Sequence, residues 1–142
     1  VVRKLINTRV AVAIHILALI ASKPQTDLPS DYIAGSVNTN PVVIRRILGM
    51  LKKAGLIQTT AGKAGASLTR PPTEISLFDV YQAVEPKEQL FAVHDNPNPH
   101  CPVGKGIRSV LDEAFNEAQS ALERTLAKET IEDVLHRLSL ER

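Results

Sequence analysis

Several absences narrow this sequence first. One cysteine in 142 residues leaves no set of thiolates from a single subunit to hold a metal centre. There is no glycine-rich phosphate loop, no Ser/His/Asp pattern and no pair of carboxylates at a plausible catalytic spacing. Cys101 and His100 are sequence neighbours, which does not by itself aim the imidazole at the sulfur. An enzyme is therefore not expected. No internal repeat or low-complexity tract is present. The apolar run over residues 10–21 is too short to span a bilayer.

That run follows Arg3, Lys4 and Arg9 and superficially resembles a secretory signal. His15 interrupts it, however, and Leu19 stands where a cleavage site wants a small residue. The simpler reading is the central buried helix of a small domain, with Arg9 near its start available for a phosphate and His15 as a partly buried structural histidine. A cytoplasmic protein with no membrane contact is expected.

The formal net charge of +2 hides an uneven distribution. Residues 1–70 carry a formal +8 and residues 71–142 a formal −6. A basic first half and an acidic second half suit a chain whose first half meets a polyanion.

The most informative stretch is residues 40–56. At about 100° per residue, Ile44, Ile47, Leu48 and Leu51 form one apolar stripe. Val42, Arg45, Arg46, Gly49, Lys52 and Lys53 fall on the other side, with four cations and no acid. One side can lock the helix onto a core while the other enters the major groove of DNA. Taken alone, the segment also fits a solvated basic surface helix. Asn40 suits the N-cap, Pro41 the first helical position and Gly55 the C-terminal cap. Upstream, residues 29–37 form a short helix candidate with Tyr32, Ile33 and Val37 as its buried side, and Asn38 and Thr39 turn the chain into Asn40. Two short helices joined in this way are a helix-turn-helix, with the second helix as reader.

Residues 56–60 and 67–69 have strand-like β-branched content around the glycine-rich loop 61–66, which carries Lys63. Strand, glycine loop and strand after a reading helix describe a wing, with Lys63 supplying charge to the sugar-phosphate backbone. An ordinary β-turn is the alternative.

After Pro71-Pro72, Ser76 caps a short helix to Val84. A proline-interrupted loop runs to Pro102, and from Val103 to about Lys128 apolar residues recur at three- and four-residue spacing. Val103, Ile107, Val110 and Ala114, flanked by Leu111 and Phe115 and continued by Ala118 and Leu122, make a stripe wider than one small core requires, so this helix is expected to pair with a second copy. Folding back on its own domain is the alternative. Ile131, Val134, Leu135 and Leu138 mark a closing helix. The expected fold is mainly α with a small β-hairpin. It divides into a winged helix-turn-helix domain over residues 1–72, a short helix and sensor-type loop over 73–102, and a long dimerisation helix with its closing helix over 103–142.

In this order of parts the chain resembles the Rrf-type family of winged-helix transcription regulators, the family of IscR, NsrR and CymR, and most nearly its YwnA-like branch. The resemblance covers almost the whole chain. Its most specific stretches are residues 7–15, 36–46, 53–56 and the Asn96-Pro97-Asn98-Pro99-His100-Cys101-Pro102-Val103-Gly104 run. It implies a homodimeric repressor bound to a two-fold symmetric operator in double-stranded DNA, with positions matching Asn40, Val42, Arg45 and Arg46 approaching bases and flanking phosphates. Positions matching Arg45 and Arg46 are acidic or amide in the cluster-binding IscR branch, so a different operator is implied. Where the family wing often has Arg-Gly, further glycines and an aromatic, Ala61-Gly62 and Ala66-Ser67 stand here. Counting the turn, the expected DNA-contacting set is Arg9, Thr39, Asn40, Val42, Arg45 and Arg46, with Lys52, Lys53 and Lys63.

Cluster-binding relatives place three cysteines in the loop before the long helix. Here Cys101 aligns with the last of them, and Gln89 and Asp95 stand near the other two. No cofactor is expected, iron–sulfur included, and no spacing among His94, Asp95 and His100 demands a metal. Cys101 precedes Pro102, a good first helical residue, so the helix dipole would favour its thiolate and make it a sensor candidate for oxidants or electrophiles. A small buried apolar residue is the alternative. The contrasting function is a winged-helix module whose basic helix face binds an acidic partner protein.

Overall fold

The computed structural model describes residues 8–24, 28–62, 65–85 and 91–138. The chain runs α1 (Arg9–Ser22), α2 (Ser30–Val37), α3 (Pro41–Lys53), β1 (Ile57–Gln58), β2 (Ser67–Leu68), a single 3-10 turn (Pro72–Glu74), α4 (Leu77–Val84), α5 (Pro102–Ala127) and α6 (Ile131–Arg137). It is mainly helical with one small antiparallel hairpin, Ile57 opposite Leu68 and Gln58 opposite Ser67.

The apolar run becomes α1, the central helix. Ala13, Ile16, Leu17, Ala18, Ile20 and Ala21 are all buried, and α2, α3, α4, α6 and β2 pack around it. A helix apolar on nearly every side needs such enclosure. His15 is the exception and departs from expectation: it is exposed, and its Nε2 lies 3.0 Å from Ser36 Oγ on α2. Tyr32 likewise faces out, 48 % exposed, whereas Ile33 and its neighbour Ala34 enter the core. The short α2 presents only a narrow side to α1 and α3, and Ala34 rather than Tyr32 occupies it.

Both α4 and α6 start from full capping boxes. Ser76 Oγ accepts the Asp79 N–H while Asp79 accepts the Ser76 N–H, and Thr130 and Asp133 repeat the arrangement. Adjacent to them the starts of α4 and α6 are stitched together: the Leu77 N–H donates to the Glu129 carbonyl at 2.8 Å and the Ile131 N–H to the Ile75 carbonyl at 2.9 Å. Ile131 and Leu135 of α6 thereby join the same core as Ile16 and Leu17 of α1. Sequence spacing grouped α6 with the long helix; its apolar side instead helps to fill the body that holds α3. Leu138, expected on that side, is exposed.

α5 differs from every other helix. None of its 26 residues is buried. One side meets α4 and the loop before it: Phe115 stacks on Phe91 with ring centroids 4.8 Å apart, and Gln119 Nε2 donates to Tyr81 Oη at 3.2 Å. On the other side Val103 and Val110 are 68 % and 63 % exposed, and Ala114, Ala118 and Ala121 are exposed with them. No helix among the described residues is long and apolar enough to cross a membrane.

Candidate nucleic-acid interface

The helix-turn-helix is set by local chemistry. α2 closes on Asn38 in the left-handed conformation, at φ 65°, which asparagine tolerates better than most residues. The Thr39 N–H donates back to the Ala34 carbonyl at 3.0 Å. Asn40 then starts α3 in extended geometry, and its Oδ1 accepts the Val43 N–H at 3.0 Å, with Pro41 in the first turn. Asn40 uses its side-chain oxygen in the cap, so the donor available to DNA is its NH2 group. Gly55, at φ 80°, lets the chain leave α3 for β1.

α3 divides as its sequence indicates. Ile44, Ile47 and Leu51 are buried and Leu48 half-buried, while Val42, Arg45, Arg46, Gly49, Lys52 and Lys53 are all exposed. Val42, a β-branched apolar residue, is 58 % exposed on an otherwise polar and cationic side. Among the described residues Arg45, Arg46 and Lys53 take part in no ion pair. Their charges are free of acidic neighbours, as phosphate and base-edge contacts require.

Lys52 is engaged differently. Its Nζ donates to Thr59 Oγ1 at 2.9 Å and ties the reading helix to the residue after β1. The hairpin is anchored again where Thr69 Oγ1 donates to the Gly55 carbonyl at 2.6 Å. Gly65, at φ 85°, crosses so near Leu28 that an added Cβ would lie 2.7 Å from the Leu28 nitrogen. Lys63, the expected wing cation, lies outside the described residues.

Arg9 also has a role that spacing did not foretell. Its Nε stands 2.7 Å from Oε1 of Glu85, which follows α4 and is 4 % exposed. Its first task is to neutralise a buried carboxylate, and any phosphate contact is shared with that task. Glu85 and Thr59 carried no sequence signal, because both act through contacts distant along the chain.

At the other end of the molecule, Cys101 is the N-cap of α5, with Pro102 beginning the helix. The turn before it is closed by Asn98, whose Oδ1 accepts the His100 N–H at 2.9 Å and whose carbonyl accepts the Cys101 N–H at 3.2 Å. Gly104 is required there, since a Cβ would fall 2.3 Å from the Asn98 oxygen. The backbone N–H groups of Gly104 and Val103 favour the thiolate and hold the Cys101 thiol below its ordinary pKa. Cys101 is half-exposed, not a buried apolar residue.

A family model described as Rrf2, iron-dependent transcriptional regulator, matches residues 6–137. The chain is similar to YwnA of Bacillus subtilis (strain 168), named as an HTH-type transcriptional regulator, at 54% identity over 134 residues, 94% of this chain and 99% of that protein. A crystal structure described as that of a DNA-binding protein is 48% identical, with a TM-score of 0.73 over 89% of this chain and 98% of that one. CymR, the global cysteine regulator of B. subtilis, shares the fold at 20% identity, with a TM-score of 0.67 over 93% of this chain and 96% of that chain.

The iron dependence in the family's description does not fit the donors of this chain. Iron–sulfur clusters are held by about four thiolates, and the sequence has one cysteine. Among the described residues no group of three or more His, Cys, Asp or Glu side chains is placed to hold a metal ion. Together these matches make the chain a regulator and not an enzyme: it belongs to the Rrf2 family of transcriptional regulators.

Proposed function

We propose that the protein is a homodimeric repressor that acts in the cytoplasm, reads a two-fold symmetric operator with α3 and is released by modification of Cys101. The observation that carries the reading is the division of α3, whose buried stripe fixes a side bearing Asn40, Val42, Arg45, Arg46 and Lys53 outward. Lys52 and Thr39 flank it, and Lys63 supplies the wing. Dimerisation is supported by the unburied state of α5. On its helical wheel Val103, Ile107, Val110, Ala114 and Ala118 share a side, about 100° per residue apart in projection. Phe115, Leu111 and Leu122 lie beside that side and are half-buried, Phe115 against Phe91. A second copy laid along the exposed side covers the valines and places two α3 helices on one duplex.

Cys101 supports a thiol switch because its sulfur is accessible and its thiolate favoured. Attack on a peroxide forms the S–O bond of a sulfenic acid as the O–O bond breaks and hydroxide or alkoxide leaves. The modified group at the first turn of α5 no longer matches the geometry held by Asn98 and Gly104.

Footprinting on the DNA upstream of the gene, with and without peroxide, tests the reading. A protected two-fold site lost on oxidation and retained by Cys101→Ser supports it. Salt separates the acidic-partner alternative: operator binding weakens steeply with salt yet keeps its sequence preference, whereas an acidic-protein receptor has no operator preference.

A further inference from the structure

Between the extended segment that carries Phe91 and one side of α5 lies a cleft of about 350 Å³. Its apolar floor is the stacked Phe91–Phe115 pair. Its wall is a run of polar side chains on one side of α5, Arg108, Asp112, Asn116 and Gln119. Arg108 and Asp112 are one helical turn apart, a spacing at which opposite charges commonly pair. Here they take part in no ion pair among the described residues. Gln119 is held in place by its bonds to Tyr81 Oη at 3.2 Å and Glu123 Oε2 at 3.1 Å.

We infer that this cleft binds an α-amino acid with an apolar side chain. Arg108 takes the carboxylate, for which its planar fork is suited. Asp112 takes the adjacent ammonium group, and the side chain lies on the aromatic floor. The match rests on three coincidences in one cavity: an unpaired cation, an unpaired anion one turn away, and an apolar surface beside both. The lining is more polar than that of most small-molecule sites, which suits a zwitterion that needs both charges met and only a small aromatic contact for its side chain. A neutral apolar ligand would leave both charges unused, and a simple anion would leave Asp112 repelling it.

The cleft is also compatible with a dimer. On the α5 wheel Arg108 and Asp112 lie well over 90° from Val103 and Val110, at about 100° per residue. A second copy seated on the valines leaves the cleft open. Tyr81, bonded to Gln119, belongs to α4, and α4 packs against α3. A ligand in the cleft thus rests on the element that supports the reading helix.

The test is calorimetric titration of the full chain with L-phenylalanine and L-leucine, and with two probes that each keep one charge, 3-phenylpropanoate and 2-phenylethylamine. Binding is read directly, so failure of the DNA reading would leave it intact. Saturable binding of at least one amino acid is expected, with each single-charge probe weaker by about tenfold or more. Arg108→Gln should weaken the amino acid and 3-phenylpropanoate but not 2-phenylethylamine, and Asp112→Asn should weaken the amino acid and 2-phenylethylamine but not 3-phenylpropanoate. Both residues are exposed, so neither variant should disturb folding. Absence of saturable binding by both amino acids, or binding indifferent to both substitutions, would overturn the assignment.

Discussion

Glu85 and Arg9 join the two ends of the DNA-binding body: a carboxylate 4 % exposed at the end of α4 lies 2.7 Å from the guanidinium Nε in the first turn of α1. The arginine is half in solvent, which screens the pair and limits its strength. Removing it nevertheless strands a buried carboxylate. Arg9→Ala should lower unfolding free energy by about 1–3 kcal/mol, seen as a lower urea midpoint with an unchanged slope. Arg9→Ala combined with Glu85→Gln should recover part of that loss. Stability of the single variant equal to wild type would leave Arg9 with only its phosphate role.

Arg45 and Lys63 should fail in different ways. Arg45→Ala removes a donor fork from the exposed side of α3 and should cost about 1–3 kcal/mol at the operator, with little change on random duplex. Lys63→Ala should weaken all duplexes alike and flatten the salt dependence by about one unit of slope. Parallel gel-shift titrations over a salt series separate these outcomes. Equal losses on specific and random DNA for Arg45→Ala would remove it from base reading.

Val110 is the position at which to test the proposed pairing of the long helices. Val110→Glu places a charge on the exposed apolar side without touching the monomer's core, since α5 contributes no buried residue. Sedimentation equilibrium should show monomer in place of dimer, with helical content preserved. Operator affinity should fall with it, because two half-sites are no longer engaged together. A variant that remains dimeric would move the seam elsewhere on α5.

Cys101 should react as a thiolate at lower pH than an ordinary cysteine. Its alkylation rate should reach half-maximum at a lower pH than that of an unperturbed cysteine. The direction follows from the N–H groups of Gly104 and Val103, which stabilise the deprotonated form, so at a given pH more of the thiol is ionised than in an unperturbed cysteine. Gly104→Ala forces its new methyl onto the Asn98 oxygen and should shift the midpoint upward while the core stays folded. A midpoint at or above the ordinary value in the native chain would argue against a sensor.

Local signals were readable in the sequence and distant ones were not. The Asn40 cap, Pro41, the buried Ile44, Ile47 and Leu51 and the exposed Arg45 and Arg46 follow from periodicity and capping rules that act within a turn or two. The Ser76 cap and the start of α5 at Pro102 have the same local origin. The Lys52–Thr59 bond, the Arg9–Glu85 pair and the insertion of α6 into the α1 core depend on which surfaces meet in three dimensions. Tyr32 illustrates the limit on the helical wheel, because a side chain next to the buried Ile33 can be turned outward, and Ala34 inward, by a modest rotation of a short helix.

The stitch between residues 75–77 and 129–131 has a geometric consequence for the proposed dimer. It fastens the C-terminal end of a 26-residue helix to the body that holds α3, while the Cys101 end projects about 39 Å away at 1.5 Å per residue. The helix then works as a ruler. Where two such rulers cross fixes the distance between the two reading heads, and sliding the crossing by one turn, about 5.4 Å, would take them out of step with the about 34 Å repeat of the duplex. If the proposed dimer forms on the valines, their position along α5 sets the spacing of the operator half-sites.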